Sequence, residues 1–370
     1  MNAPIKTIGI AGGGQLGRML AEAAHRLGFK VVVLDPTQNS PAAQVADAHI
    51  VGDFKDAVKL EELAGACDVM TFEIESANAQ ALEALAARGF PVHPTPKTLA
   101  IIKDKLTQKR FLQERGIPVA PFCEAKDAAH LGYPYILKTR FGGYDGRGNA
   151  LVESDAGGAS AAAKLGGENL YAEGFVRFER ELAVVAARTE KGETVVYPVV
   201  ETMHENHICV EVLAPAPVSA DIAEKAKEVA QRVLNAFDGA GVFGIEMFLA
   251  AGTILVNEVA PRVHNSGHFS IEGSVTSQFE NHIRAITGLP LGDAGMKVPA
   301  AVMVNILGER SGTAEPSGIP EAEAIPGVKV HIYGKMETRP GRKMGHLTAT
   351  ADTLEEAKEK AERARTLISI

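Results

Sequence analysis

At about 150 residues per domain, a chain of 370 residues makes two or three domains, which excludes a small disulfide scaffold. Hydrophobic residues make up 46% and charged residues 23%, a globular balance that excludes a disordered or fibrous chain. The formal net charge of −8 argues against sequence-independent nucleic-acid binding and makes any anion site local. Cys67, Cys123 and Cys209 are odd in number and far apart, which suits a reducing cytoplasm better than a disulfide framework or a zinc knuckle. No apolar run approaches the ~18 residues of a membrane span, and the first residues lack the features of a signal peptide, so neither membrane insertion nor export is expected.

In chain order, residues 6–11 read as a strand. Leu16, Met19, Leu20, Ala23, Ala24 and Leu27 then fall on one face of a helix, and 30–35 is a second buried strand. Strand signals recur at 49–51, 67–73 and 90–93 between alanine-rich helices, so the first hundred residues predict βαβ units on a parallel, Rossmann-like sheet. A helical segment at 96–115 leads to a boundary near 105–117. Beyond it, YPYILKTR, NALVE, LYAEGFV, RELAVVAAR, TVVYPVV, VFGIEMFLA and TILVNEVA predict short strands, with helices near 155–165, 219–238 and 273–288. After Pro299 come strands at 300–307, 328–334 and 345–350. A last helix starts at Thr353 with a capping box to Glu356 and i,i+4 pairs Glu356–Lys360 and Glu359–Arg363, and this tail reads as a covering module. No internal repeat is present, and the one low-complexity stretch is the alanine and glycine cluster at 156–167.

Five motifs carry chemistry. Gly12, Gly14 and Gly17 between a strand and a helix, with Asp35 ending the next strand, match the dinucleotide fingerprint; a plain tight turn also accounts for the glycines. Phe141–Gly148 places four glycines in eight residues after the strand carrying Lys138, a hairpin able to fold its N–H groups over phosphates although no P-loop is present; a plain glycine-rich turn also accounts for the glycines but explains Lys138 poorly. Lys138 lies in an otherwise apolar strand and must be paired or functional. Glu246 and Glu258 lie on two strands joined around Ala251–Gly252. A hairpin symmetric about Gly252 opposes them, and their repulsion calls for a cation such as Mg²⁺ between them; two glutamates on a solvated face are the alternative. The polar loop Ala260–His268 follows directly. Its His264 and His268 are spaced i,i+4, but Gly267 and the absence of a helical zinc motif favour substrate contacts or loop stabilisation over a metal. Lys335, Arg339, Arg342, Lys343 and His346 form a basic cluster suited to a phosphate monoester, or a solvated rim.

GGGQLGRML, KDKLTQKRFL, GGYDGRG, EGFVRFERE, NEVAPRVHNSGH and RPGRKMGHL occur in that order over nearly the whole chain. Together they resemble the 5-(carboxyamino)imidazole ribonucleotide synthases, ATP-grasp enzymes of purine biosynthesis. The resemblance implies mixed α/β and α+β architecture: a Rossmann-like pre-ATP-grasp domain over 1–105, an ATP-grasp domain over 106–300 with its lid at about 117–175, and a small C-terminal domain over 301–370. It implies ATP- and bicarbonate-dependent carboxylation of 5-aminoimidazole ribonucleotide through carboxyphosphate, with Mg²⁺ and without biotin, in a cytoplasmic homodimer.

Carried over residue by residue, Lys105 and Lys138 contact ATP phosphates under a lid of Gly143, Tyr144, Asp145, Gly146, Arg147, Gly148 and Asn149. Glu173, Gly174, Phe175 and Val176 form the adenine hinge, Glu181 holds the ribose with His204 nearby, and Asn257 lies beside Glu258. Glu246 and Glu258 hold the metal. Tyr144, Asp145, Arg147 and Arg262 lie near the chemistry, and Arg262, His264, Asn265 and Ser266 surround bicarbonate and the aminoimidazole. Lys335, Arg342 and Lys343 take the 5′-phosphate, and Gln15 and Glu73 are further substrate contacts. Ser76, where asparagine is expected, and Asn149, where glutamine is commoner, depart from the pattern. The competing expectations are a formate-dependent transformylase of the same superfamily, a non-catalytic nucleotide sensor, and an NAD-dependent oxidoreductase resting on Gly12, Gly14, Gly17 and Asp35.

Overall fold

The computed structural model describes residues 5–143 and 148–370. Strands β1 (Thr7–Ala11), β2 (Lys30–Asp35), β3 (Ala48–Val51) and β4 (Val69–Phe72) form a parallel sheet ordered β3-β2-β1-β4. Its crossovers include α1 (Gln15–Arg26) and α2 (Ala57–Gly65), followed by α3 (Ala79–Ala87). The uninterrupted apolar run of β2 reflects burial on both faces: Val31 and Val33 join the cluster containing Leu16 and Leu20 of α1, while Val32 and Leu34 join Leu60 and Leu63 of α2. The strand expected at 90–93 is reduced to one parallel bridge, Met70 to Val92. Pro91 and Pro94 flank it and have no N–H to extend the ladder.

The single helix expected over 96–115 is two, α4 (Pro96–Lys103) and α5 (Lys105–Glu114). Asp104 breaks the run with extended backbone, and its carboxylate accepts hydrogen bonds from the N–H groups of Leu106 and Thr107 while pairing with Arg140. An aspartate so placed caps the second helix and makes Lys105 its first residue.

A four-stranded antiparallel sheet follows: β5 (Phe122–Glu124), β6 (Tyr135–Thr139), β7 (Asn149–Val152) and β8 (Leu170–Gly174), ordered β5-β8-β6-β7 and accompanied by α6 (Asp155–Lys164). The glycine loop joins β6 to β7. A Cβ at Gly148, whose φ is +86°, would collide with the Thr139 hydroxyl.

The central sheet holds β9 (Arg180–Arg188), β10 (Thr194–Val196), β11 (Val200–Glu205), β12 (Ile208–Ala214), β13 (Gly241–Ala250) and β14 (Thr253–Ala260). TVVYPVV is thus two strands, parted at Tyr197–Pro198, and β12 was not anticipated because Glu211 interrupts its apolar run; that carboxylate pairs with Lys358 at 3.2 Å. Alternation along β9 places Leu182, Val184 and Ala186 against α7 (Ala220–Ala236). Val185 and Ala187 face the opposite way, toward α9 (Gln278–Thr287), which α8 (Ser270–Gly273) precedes.

The remaining elements are β15 (Ala300–Leu307), β16 (Gly312–Thr313), α10 (Ile319–Glu323), β17 (Val328–Ile332), β18 (Glu337–Thr338), β19 (Lys343–Ala351) and α11 (Leu354–Leu367). Rather than forming a separate cover, β15, β19 and β17 continue the central sheet, whose order is β14-β13-β9-β11-β12-β15-β19-β17 with β10 beside β9. Helices α11 and α10 cover one face of this end, through Ala357, Ala361, Ala364 and Ala322. The Thr353 hydroxyl caps α11 as the sequence predicts, and Lys360 pairs with Glu356 at 2.8 Å.

Candidate active site

Ala251 and Gly252 both have positive φ, +48° and +73°, so the β13–β14 turn holds two residues and residue numbers beside it sum to 503. On that register Glu246 would face Asn257. A one-residue bulge at Asn257 shifts the ladder, so Glu246 pairs with Glu258. The expected opposition is therefore present, produced by a shorter turn plus a bulge rather than by symmetry about Gly252.

The two carboxylates are partly exposed, their side chains 32% and 41% accessible. Burial, and then the neighbouring Glu258, pushes Glu246 above the usual carboxylate range. Burial also disfavours ionised Glu258, but the Lys105 ammonium, 2.9 Å away, outweighs it and draws Glu258 down. Glu246 meets the weaker contacts: His264 Nε2 at 3.4 Å and Asn257 Nδ2 at 3.5 Å. Lys343 at the start of β19 lowers Glu246 electrostatically, so the C-terminal strands reach this site.

Lys138 is paired as its apolar strand requires, donating to Glu173 at 2.9 Å. Glu173 is itself buried and accepts from Tyr171 Oη at 2.7 Å, with Lys109 Nζ at 3.3 Å. Burial opposes its ionisation, yet the two lysines hold it down at about 2. Its side chain is thus committed to the protein, and β8 pairs with β5 and β6 through Glu173 before the chain runs on from Gly174 to Phe175 and Val176. Glu181 on β9 lies 3.4 Å from His204 Nδ1, and burial followed by the charge of Glu246 pushes it up to about 7.

The loop after β14 is fixed by hydrogen bonds. Arg262 pairs with Glu75 at 2.7 Å, tying this loop to the segment after β4. His264 Nδ1 meets Ser266 Oγ at 2.8 Å, and a Cβ at Gly244 would collide with the His264 side chain, so that glycine admits the ring over β13. Burial, then Arg262 and Lys343, depress His264 to about 3 and keep it neutral near pH 7. Asn265 and Asn305 exchange side-chain hydrogen bonds of 3.0 and 2.7 Å.

The basic cluster divides. Lys335 donates to the Lys343 carbonyl and Arg342 to the Glu337 carbonyl, whereas Arg339 is exposed and His346 is fully buried, so the last is no part of a basic rim. Tyr144, Asp145, Gly146 and Arg147 lie outside the described residues; Gly143, Gly148 and Asn149 flank them at the β6–β7 hairpin.

At the glycine turn the protein supplies its own anion. Glu73 accepts from the N–H groups of Gly14 at 2.7 Å and Gly17 at 3.1 Å, where a dinucleotide pyrophosphate would sit, and Asp35 accepts from Gly13 and Thr37. This corrects the NAD reading. Burial, opposed by the two N–H donors, lifts Glu73 to about 7. Gln15 opens α1 beside it. Sequence reasoning did not single out Lys109, Tyr171, Glu75 or Asn305. Lys109 had a signal: it is four residues after Lys105 and on the helical stripe of Leu106 and Leu112.

The sequence matches the ribonucleotide synthetase preATP-grasp domain over residues 5–103, the ATP-grasp domain over 110–279 and the phosphoribosylaminoimidazole carboxylase C-terminal domain over 301–360. It is 45% identical to the phosphoribosylaminoimidazole carboxylase of Ogataea methanolica, over 94% of this chain and 67% of that protein, so it spans about two thirds of such carboxylases. The N5-carboxyaminoimidazole ribonucleotide synthetase of Thermotoga maritima superposes with a TM-score of 0.90 at 46% identity, covering 98% of this chain and 99% of that one. The Aspergillus clavatus synthase in complex with ADP and 5-aminoimidazole ribonucleotide also has a TM-score of 0.90, at 41% identity and 98% coverage of both chains.

The ATP-grasp match over 110–279, on a chain with two antiparallel sheets in that region and an opposed carboxylate pair approached by Lys105, defines an ATP-grasp ligase. Within that class, the chain belongs to the N5-carboxyaminoimidazole ribonucleotide synthase family.

Proposed function

We propose that this chain carboxylates 5-aminoimidazole ribonucleotide with ATP and bicarbonate, yielding N5-carboxyaminoimidazole ribonucleotide, ADP and phosphate in purine biosynthesis. The single observation that carries the reading is the Glu246–Glu258 pair, supported by lysines on two other elements. The donor set suits Mg²⁺: hard carboxylate oxygens, one of them left only weak contacts and held above its usual range by its neighbour. Bound there, the ion would offset the phosphate charge that develops during transfer.

The hinge backbone from Glu173 to Val176 receives the adenine, Glu181 with His204 the ribose, and Lys105, Lys138 and Asn257 the phosphate end. The β6–β7 hairpin, with Gly143, Gly148 and Asn149 at its base, closes over the triphosphate and excludes water. A bicarbonate oxygen attacks the γ-phosphorus in line as the bond to the β-phosphate oxygen breaks, giving carboxyphosphate and ADP; Lys138 steadies the transferring charge. Carboxyphosphate breaks down to CO₂ and phosphate. The exocyclic amine forms the C–N bond with the CO₂ carbon and loses a proton. Asp145 and Arg147 are assigned to orienting that amine and the new carboxylate.

Arg262, neutral His264, Asn265 and Ser266 hold bicarbonate and the imidazole, and Lys335, Arg342 and Lys343 the 5′-phosphate, with Tyr144, Gln15 and Glu73 as further contacts, while Gly146 belongs to the lid over ATP. The division into 1–105, 106–300 and 301–370, a homodimer and a cytoplasmic location belong to the same reading. Among the described residues no helix is long and apolar enough to cross a membrane.

Phosphate release from ATP tests the reaction: it should require both bicarbonate and the aminoimidazole ribonucleotide. Release independent of the ribonucleotide, or formate replacing bicarbonate, overturns it. Glu246→Gln and Glu258→Gln should each lower kcat by about a hundredfold or more.

A further inference from the structure

Away from the carboxylate pair, α8 meets the far end of the central sheet at a cluster with no role in the reaction above. His331 on β17 and His346 on β19 are directly paired across the ladder, with rings stacked 4.6 Å apart. Glu272 on α8 lies 2.9 Å from His331 Nε2, and one ligand atom from each of Glu272, His331 and His346 falls within 4.8 Å of the others.

Two buried atoms here have no hydrogen-bond partner: Nε2 of His346, a residue with no exposed surface, and Oε2 of Glu272. Leaving both unsatisfied is costly, and a divalent ion satisfies both at once. The tautomer is prepared as well. Tyr333 Oη lies 3.0 Å from His346 Nδ1, so the ring can donate from Nδ1 and keep its Nε2 lone pair for a ligand, the usual outer support of a metal-bound histidine. His331, 29% exposed, gives access from solvent, and His268 packs 4.9 Å from His346 to close the inner side.

We propose that Glu272, His331 and His346 form a second metal site, distinct from the Glu246–Glu258 pair, that takes zinc(II). Two imidazole nitrogens and one carboxylate oxygen suit a borderline ion and leave a fourth position for water; they suit magnesium poorly. Occupancy ties α8, which follows the loop bearing His264 and Ser266, to the strands that bring Lys343 to the active site.

The test uses the full chain, stripped with a chelator and titrated with zinc against a chromophoric competitor at saturating Mg²⁺. The background is the E246Q/E258Q double variant, so the active-site carboxylates do not contribute. One equivalent should bind, and both Glu272→Gln and the partly exposed His331→Ala should weaken it by about tenfold or more. Cobalt(II) in the same site should give the visible absorption of a four-coordinate ion, lost in His331→Ala. Absence of uptake in the double variant, or equal affinity with and without His331, overturns the proposal.

Discussion

Glu173 is buried and Glu181 half-buried on neighbouring elements, yet Glu181 is pushed up to about 7 and Glu173 down to about 2. At Glu173 two lysines outweigh burial, whereas at Glu181 burial and then the charge of Glu246 act in the same direction. For an acid raised in the folded chain, the folded state binds the extra proton, so stability falls as pH rises from the unfolded value near 4.5 to about 7. Glu181→Gln removes that loss. The variant should melt at the parent's temperature below pH 4.5 and become more stable above pH 7, by about 3 kcal/mol at most. Thermal unfolding across that range checks it; a constant difference would mean that Glu181 does not hold a raised proton affinity. Lys109 illustrates the limit of residue-level reading. Its helical position was visible, but its partner Glu173 is 64 residues away and nothing local announces the pair.

At the scale of elements, the candidate active site depends on two interruptions. Asn257 bulges β14 so that Glu258 rather than Asn257 opposes Glu246, and Asp104 splits a helical run so that Lys105 stands at the start of α5 facing Glu258. A turn around Ala251–Gly252 was legible, but its two-residue length was not, since symmetry about Gly252 was expected, and a bulge has no local signature because it answers to the strand's other neighbours. Asp104→Ala should remove the cap and the Arg140 pair together. An expected loss is about 1–2 kcal/mol in urea denaturation, with a higher KM for ATP as Lys105 loses its anchor. Unchanged stability would show that α4 and α5 are held by packing alone.

The whole molecule is less modular than the chain's texture suggests. Because β15 pairs with β12 and β19 with β15, the last seventy residues complete a sheet that begins with the carboxylate hairpin. Amides of β15 and β19 should therefore show protection from hydrogen exchange close to that of β9 and β13. A far weaker protection confined to 301–370 would mark that end as an independent unit.

The sequence by itself determined what depends on near neighbours along the chain: the apolar stripe of α1, the doubly buried β2, the turn at Ala251–Gly252, the cap at Thr353 and the motif strings that mark the family. Tertiary structure alone decided that Glu73 fills the glycine turn, that His346 is buried beside His331, that Lys138 waits on Glu173, and that the C-terminal strands extend the central sheet. Each of these joins residues far apart in sequence. Periodicity reports which face of an element is apolar, but only the arrangement of the elements settles which charged or polar group meets that face.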